Sequence, residues 1–271
     1  MVRHGIRADF IDKGWAAANP GCRCDPPLSA EGYQQARETG RFLAERVSAS
    51  VEVFASPFLR TLQTASLIAS ELNSALSLTL SVKPEHGLGE WFTVHNLKGD
   101  PPSSPLFLPR GHGELREEDS GCLLVDRGYQ EVVTAEETRP LESLSHLHAR
   151  AFKCLTGLSA RFQHVDNLVL VTHAATFLAT LRAALVAHCL PADLAAGCEA
   201  DLSHRCPTCG VTVIELVSSS DSAAASVSSA LSPDDDGASH GQQWRLVMDS
   251  SSSHLSSGEQ HHWDFSMIKK V

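Results

Sequence analysis

Residues 2–7 read Val2-Arg3-His4-Gly5-Ile6-Arg7. A histidine set among arginines is an unusual ending for a hydrophobic strand. Two guanidiniums held close together repel unless an anion lies between them. Phosphate is the anion that arginine grips best, through paired N–H donors. The intervening His4 is then placed to attack it. With only Met1 and Val2 ahead of Arg3, this first strand is cut short, which leaves a true start upstream open.

Working outward, the chain alternates strand and helix patterns. Ser29 is a plausible N-cap for a helix whose apolar face carries Ala36, Gly40, Leu43, Ala44 and Val47. Val51 to Ala55 reads as a strand. Ser56-Pro57 then reads as a cap with proline at the first helical position. Phe58, Leu62, Ala65, Ala69 and Leu72 stripe the next helix, and Leu76 to Val82 reads as another strand. A long amphipathic helix is marked by Leu144 through Phe162. Leu168 to Thr172 is the clearest buried strand, followed by a helix through Phe177, Leu178, Leu181 and Leu185. Val211–Val217 and Trp244–Met248 read as late strands. Such alternation predicts an α/β fold, with a mostly parallel sheet flanked by helices on both faces. The chain reads as a single domain, residues 1–271. It carries a surface insertion, lid-like, at about 93–139 and Ser-rich segments at 218–241 and 249–258 that are expected to be disordered.

Each chemically suggestive residue follows one of these strands: Arg3 and His4, then Arg60, Glu90 and His173. In a parallel sheet those ends share one edge, where ligands of open α/β folds bind. The segments Val2–Gly5, Pro27–Gly32, Ala55–Ala65, Gly89-Glu90-Trp91 and Val171–Ala174, in this order, together resemble the histidine phosphatase superfamily, also called phosphoglycerate mutase-like.

The resemblance implies a three-layer sandwich and a set of roles. His4 looks like the nucleophile that is transiently phosphorylated, splitting one displacement into two. Arg3, Arg7, Arg60 and His173 would bind the substrate phosphate and offset its charge during transfer. Catalytic residues would thus be His4, Glu90 and His173, with Glu90 protonating the leaving alcohol and then deprotonating water. In a cationic pocket a carboxylate stays ionised, so burial or bound phosphate must favour its protonated form. Neither a metal nor another cofactor is expected.

Arg7 sharpens the branch. With Asp9-Phe10 and Lys13-Gly14-Trp15 it is similar to the suppressor-of-T-cell-receptor-signalling phosphatases and the insect ecdysteroid-phosphate phosphatases. Trp263-Asp264-Phe265 loosely echoes their C-terminal aromatic segment. The acid-phosphatase and phytase branch would need a proline where Asp9 stands and an Asp where Ala174 stands. Mutase-like members usually carry Glu and then a small or polar residue where Ile6-Arg7 stand; the extra charge of Arg7 crowds the pocket, so a phosphoglycerate-type mutase ranks behind a phosphomonoesterase. A non-catalytic phosphate-pocket module or scaffold subunit, as in a subunit of an RNA polymerase III transcription factor, is the alternative from another class.

Composition narrows the partners. Net charge is −10 and no Lys/Arg-rich run appears, which argues against nucleic acid and membrane surfaces. No apolar run approaches the roughly 20 residues of a membrane span, and no signal peptide precedes Arg3. Eight scattered cysteines suit a reducing compartment, cytoplasmic or nuclear, although an upstream signal is left open. Cys22, Cys24, Cys206 and Cys209 make a poor zinc set, and the second pair reads as small apolar residues. The expected substrate is a phosphorylated small molecule or a phosphoprotein. Asp9–Asp25 and the insertion after Thr93 would set the leaving group, and a homodimer is left open.

Overall fold

The computed structural model describes residues 1–97, 99–109, 123–138, 140–186, 204–217 and 243–264. Six strands form one sheet: β1 (Val2–Arg3), β2 (Val51–Ala55), β3 (Val82–Pro84), β4 (Asn167–Thr172), β5 (Val211–Val217) and β6 (Gln243–Ser251). Their spatial order is β3-β2-β4-β1-β5-β6. The first four in that order run parallel, and β5 and β6 run antiparallel at the far side. The mostly parallel α/β sheet expected from the alternating pattern is therefore the observed one.

Period-two alternation explains the two covered faces. On one face Val51, Val53, Ala55, Val169 and Val171 pack with Leu43, Leu62, Ala65, Ile68 and Leu72. Those partners come from helices over Ala30–Ala44 and Leu59–Leu76. On the other face Phe54 and Leu170 meet Leu155, Leu158 and Ala184, from helices over Leu144–Arg161 and Ala174–Val186. In chain order the helices are α1 (Ala8–Ile11), α2 (Trp15–Ala18), α3 (Ala30–Ala44), α4 (Leu59–Leu76), α5 (Val94–Leu97), α6 (Leu144–Arg161) and α7 (Ala174–Val186). Each fully buried Leu, Val or Ile here contributes about 1.5–3 kcal/mol. Among the described residues, no helix is long and apolar enough to cross a membrane.

Three local expectations are corrected. Ser56-Pro57 does not cap a helix: α4 begins at Leu59, and its N-cap Phe58 offers no side-chain bond. The cap comes instead from Asp25, whose Oδ1 accepts the Leu59 N–H at 2.8 Å.

The strand expected at Leu76–Val82 is displaced. The α4 helix runs through Leu76 and stops at Ser77, which is left-handed at φ 55°. Asn73 then claims the backbone of Leu80, donating to its carbonyl and accepting its N–H at 2.6 Å. Pairing with β2 starts only at Val82.

The Ser-rich stretch 249–258 is ordered. The last strand extends through Ser251, and Leu255 is buried against Leu28, Ala36, Leu67 and Cys209. His254 stacks on Phe42 at 4.4 Å and shares a hydrogen bond with Thr39. Serine content signalled disorder, but one leucine and one histidine dock the segment onto α3. The other Ser-rich stretch, 218–241, lies outside the described residues.

The inner part of the insertion is also anchored. Val125 bridges to Val82 at the sheet edge. The buried carboxylate of Glu85 accepts N–H groups of Gly87, Val132 and Val133 and the Tyr129 hydroxyl. Four donors satisfy a charge that burial would otherwise penalise.

The turn after β1 meets the start of α3 backbone to backbone. Ser29 caps α3 through Gly32 N–H and also donates to the Ile6 carbonyl. A Cβ at Gly32 would lie 2.2 Å from Ile6 O, and one at Gly5 2.7 Å from Gly32 O. Gly32→Ala should therefore overpack this junction and cost about 1–3 kcal/mol. A lowered denaturant midpoint at unchanged slope is the expected readout, and an unchanged midpoint counts against the contact.

Candidate active site

The parallel strands deliver their C-terminal ends to one edge. Arg3-His4 end β1, Ser56 follows β2, and His173 follows β4. Arg60 is the second residue of α4, and Glu90 follows the short turn after β3. The sequence-identified Arg3, His4, Arg7, Arg60 and Glu90 all line one cleft of about 640 Å³. His173 sits directly behind Arg60 and Glu90.

His4 is 2% exposed. Its Nδ1 lies 2.8 Å from the Gly5 carbonyl. A carbonyl only accepts, so Nδ1 carries the proton and Nε2 the lone pair. Burial, then the charges of Arg60 and Arg3, the neighbouring His173 and finally Arg7, hold the imidazole well below its ordinary range. At neutral pH it is an uncharged base with a fixed tautomer, which is the state a nucleophile requires.

Arg3 is fixed from the other end of the chain. Its Nη1 donates to the carbonyls of Cys206 and His261, both at 2.5 Å. Arg60 is 1% exposed and meets three segments. Its Nη2 donates to Glu90 Oε2 at 2.9 Å and lies 3.1 Å from His173 Nδ1. Its Nη1 donates to Cys24 O and Asp25 Oδ1 at 3.3 and 3.4 Å. Among the described residues, the buried Nε atoms of both Arg3 and Arg60 lack a hydrogen-bond partner. Two arginines beside a histidine in one cleft are a donor set suited to an anion.

Arg7, expected to bind the phosphate, lines the cleft as the partner of Asp9. Its Nε and Nη2 donate to both oxygens of Asp9 at 2.9 and 2.6 Å, and it covers the Phe10 ring at 4.4 Å. Its charge still reaches His4, Arg60 and His173, lowering each.

Glu90 rides on a strapped loop. Arg150 donates to the carbonyls of Gly87 and Gly89, Thr172 to that of Leu88, and Thr176 to that of Gly89. The Glu90 Oε1 accepts its neighbour's N–H, that of Trp91. Burial alone would raise its pKa. His173 and Arg60, with His4 beyond them, outweigh burial and hold the carboxyl well below the usual carboxylate range. Without a ligand it is an anion, not an acid. His173 is pushed down to about 4, by burial first; Glu90 works against this and Arg60 with it. Its Nε2 lies 2.8 Å from Ser56 Oγ.

Sequence reasoning missed Asp25 and Ser56. Asp25 is 2% exposed and joins the α4 N-terminus to Arg60. The residue precedes Pro26-Pro27, so its signal was an acid on a stiffened approach to a helix. Cleft walls come from Phe10, Trp91, Phe92 and Trp263, with Arg23 and Asn96 among the polar lining. Both segments expected to set the leaving group therefore reach the cleft, and so does Trp263 of the C-terminal aromatic stretch. Phe265 lies outside the described residues.

Residues 1–96 match the histidine phosphatase superfamily (branch 1). The chain is 26% identical over 279 residues to the transcription factor tau 55 kDa subunit of Saccharomyces cerevisiae, covering 100% of this chain and 59% of that protein. It is 29% identical over 153 residues to the Homo sapiens ubiquitin-associated and SH3 domain-containing protein A, covering 56% of this chain and 22% of that protein. The chain thus spans less than two thirds of these relatives' length. The ecdysone phosphate phosphatase from Bombix mori in complex with tungstate superposes with a TM-score of 0.55 at 22% identity, covering 69% of this chain and 77% of that one. The family match spans four of the five motifs, Val171–Ala174 lying beyond it, and the superposition matches the expected fold.

The buried imidazoles tie stability to pH. His173, and His148 which burial also lowers to about 4, ordinarily titrate at 6.5. Unfolding below 6.5 therefore takes up protons that the folded protein refuses. Their contribution is intact above 6.5 and is lost as pH falls toward 4. Thermal scans should show stability dropping across that window, with a shallower slope in His173→Asn. Equal slopes would contradict the assignment.

Proposed function

From the premise that residues 1–96 form a histidine phosphatase segment in that superfamily's fold, we propose that the chain is a metal-independent phosphomonoesterase working through phospho-His4. His4 Nε2 attacks the phosphoryl group, forming N–P as the ester P–O bond breaks, and protonated Glu90 hands its proton to the leaving alkoxide. Water then attacks phosphohistidine, Glu90 recovers a proton, and inorganic phosphate leaves with His4 neutral again. Arg3 and Arg60, which line the same cleft as His4, would offset the charge on the transferring oxygens. One observation carries this reading: a neutral His4 of fixed tautomer between two arginines whose buried Nε atoms have no partner.

The substrate is a phosphate ester on a small molecule or a protein side chain. A cleft of about 640 Å³ has room for far more than a phosphate. Its aromatic walls favour an apolar or ring-bearing leaving group. Arg7 and Asp9 pair in the cleft lining, and the added arginine charge favours a monoester over the two-site transfer of a mutase.

A second reading is supported by the tau subunit, which this chain matches along its entire length. On that reading the pocket binds a phosphorylated partner, or none, within an assembly and turns nothing over.

Hydrolysis of p-nitrophenyl phosphate by wild type and His4→Ala separates the two. The phosphatase reading expects turnover that is abolished in His4→Ala, is unaffected by chelator, and falls about 10²–10³-fold in Arg60→Ala. Equal rates in wild type and His4→Ala sink it. Thermal protection by phosphate without turnover favours the binding module.

A further inference from the structure

Arg60 is served by two carboxylates of different character. Asp25 is 2% exposed, and its Oδ1 is shared between the Leu59 N–H and the guanidinium. Moving it would uncap α4. Glu90 meets the same guanidinium at 2.9 Å, but its side chain is 18% exposed and lines the cleft. The backbone beneath it is fixed by Arg150, Thr172 and Thr176, so only its side-chain torsions need change.

The charges at the cleft point the same way. Four arginines, Arg3, Arg7, Arg23 and Arg60, and two acids, Asp9 and Glu90, line the cleft; Asp25 and Asp100 pair with Arg60 and Arg23 without lining it. His4 and His173 are neutral at neutral pH. A phosphate dianion that approaches Arg60 competes with Glu90 for the same guanidinium. Of the four acids, Asp9 and Asp100 have dedicated arginine partners at the rim and Asp25 is locked. Glu90 alone both faces the cleft and contacts the arginine an incoming phosphate needs.

We propose that Glu90 is the exchangeable counter-ion of Arg60: an entering phosphate dianion displaces it, and the displaced carboxylate takes a proton from solvent that it later gives to the leaving group. This deepens the phosphatase reading and rests on it. The groups facing Glu90 are Arg60 of α4, His173 after β4, and Arg3 and His4 of β1. Behind it, Arg150 of α6 is neutralised by Glu142. Losing Arg60 and gaining a dianion both raise a carboxyl pKa, so binding and loading of the acid become one event.

The probe is inorganic sulfate, a dianion that does not itself titrate over the range. It is titrated calorimetrically into wild type and Glu90→Gln, in buffers of different ionisation enthalpy. Wild type should take up as much as about one proton per anion, more as pH falls from neutral. Glu90→Gln should take up none and bind sulfate about tenfold more tightly. Uptake that persists in Glu90→Gln places the proton on an imidazole, and weaker binding by that variant makes Glu90 a ligand rather than a competitor. Either result overturns the exchange and leaves the phosphatase reading standing. If Glu90→Gln does not fold, sulfate affinity in wild type decides, and a pH-independent affinity overturns the exchange. Wild type that binds no sulfate, or binding indifferent to Arg60→Ala, overturns the pocket itself and the exchange with it.

Discussion

The buried guanidinium of Arg60 is the constraint around which the site is arranged. An arginine at 1% exposure is tolerated only if nearly all its donors are met, because an unpaired buried charge costs several kcal/mol. Its partners come from the Cys24-Asp25 loop, from Glu90 after β3 and from His173 after β4. Folding therefore has to bring these segments to the sheet edge before the charge is stable. The parallel order β3-β2-β4-β1 does so by aligning the strand ends. Among the described residues, the buried Nε of Arg60 has no hydrogen-bond partner.

The same charge sets the protonation of its neighbours. Arg60 and Arg3 keep His4 neutral, and at neutral pH the Arg60 charge favours the ionised form of Glu90. On the proposed mechanism, the nucleophile would be ready before a substrate binds and the acid would not. That asymmetry disfavours protonation of Glu90 until an anion has arrived, and it follows from sharing one guanidinium between the phosphate site and the acid. Backbone straps on Gly87, Leu88 and Gly89 hold the acid at the cleft while its side chain stays movable.

Much of this was legible in the sequence, for identifiable reasons. Strands with strong apolar runs, such as Leu168–Thr172, declared themselves, and so did the Ser29 cap and the residues that follow each strand. The signal failed where side chains act at a distance. Asp25 caps a helix 34 residues later, so local rules assigned that cap to Ser56. Asn73 diverts Leu80 from strand pairing, which moved β3 to Val82. Leu255 and His254 dock a serine-rich segment that composition alone marked as disordered. Arg3 and His4 were visible at once, yet the carbonyls that position Arg3 belong to Cys206 and His261, more than 200 residues away. No local pattern encodes such a contact.

Covalent participation of His4 is the centre of this account. Its most direct test is to mix the protein with an aryl phosphate, quench rapidly under alkaline conditions that preserve phosphohistidine, and map the peptides by mass. The account predicts one phosphoryl group on the peptide containing His4, appearing before inorganic phosphate reaches its steady rate. Steady release of inorganic phosphate with no phosphoryl group on His4 at any time would contradict it.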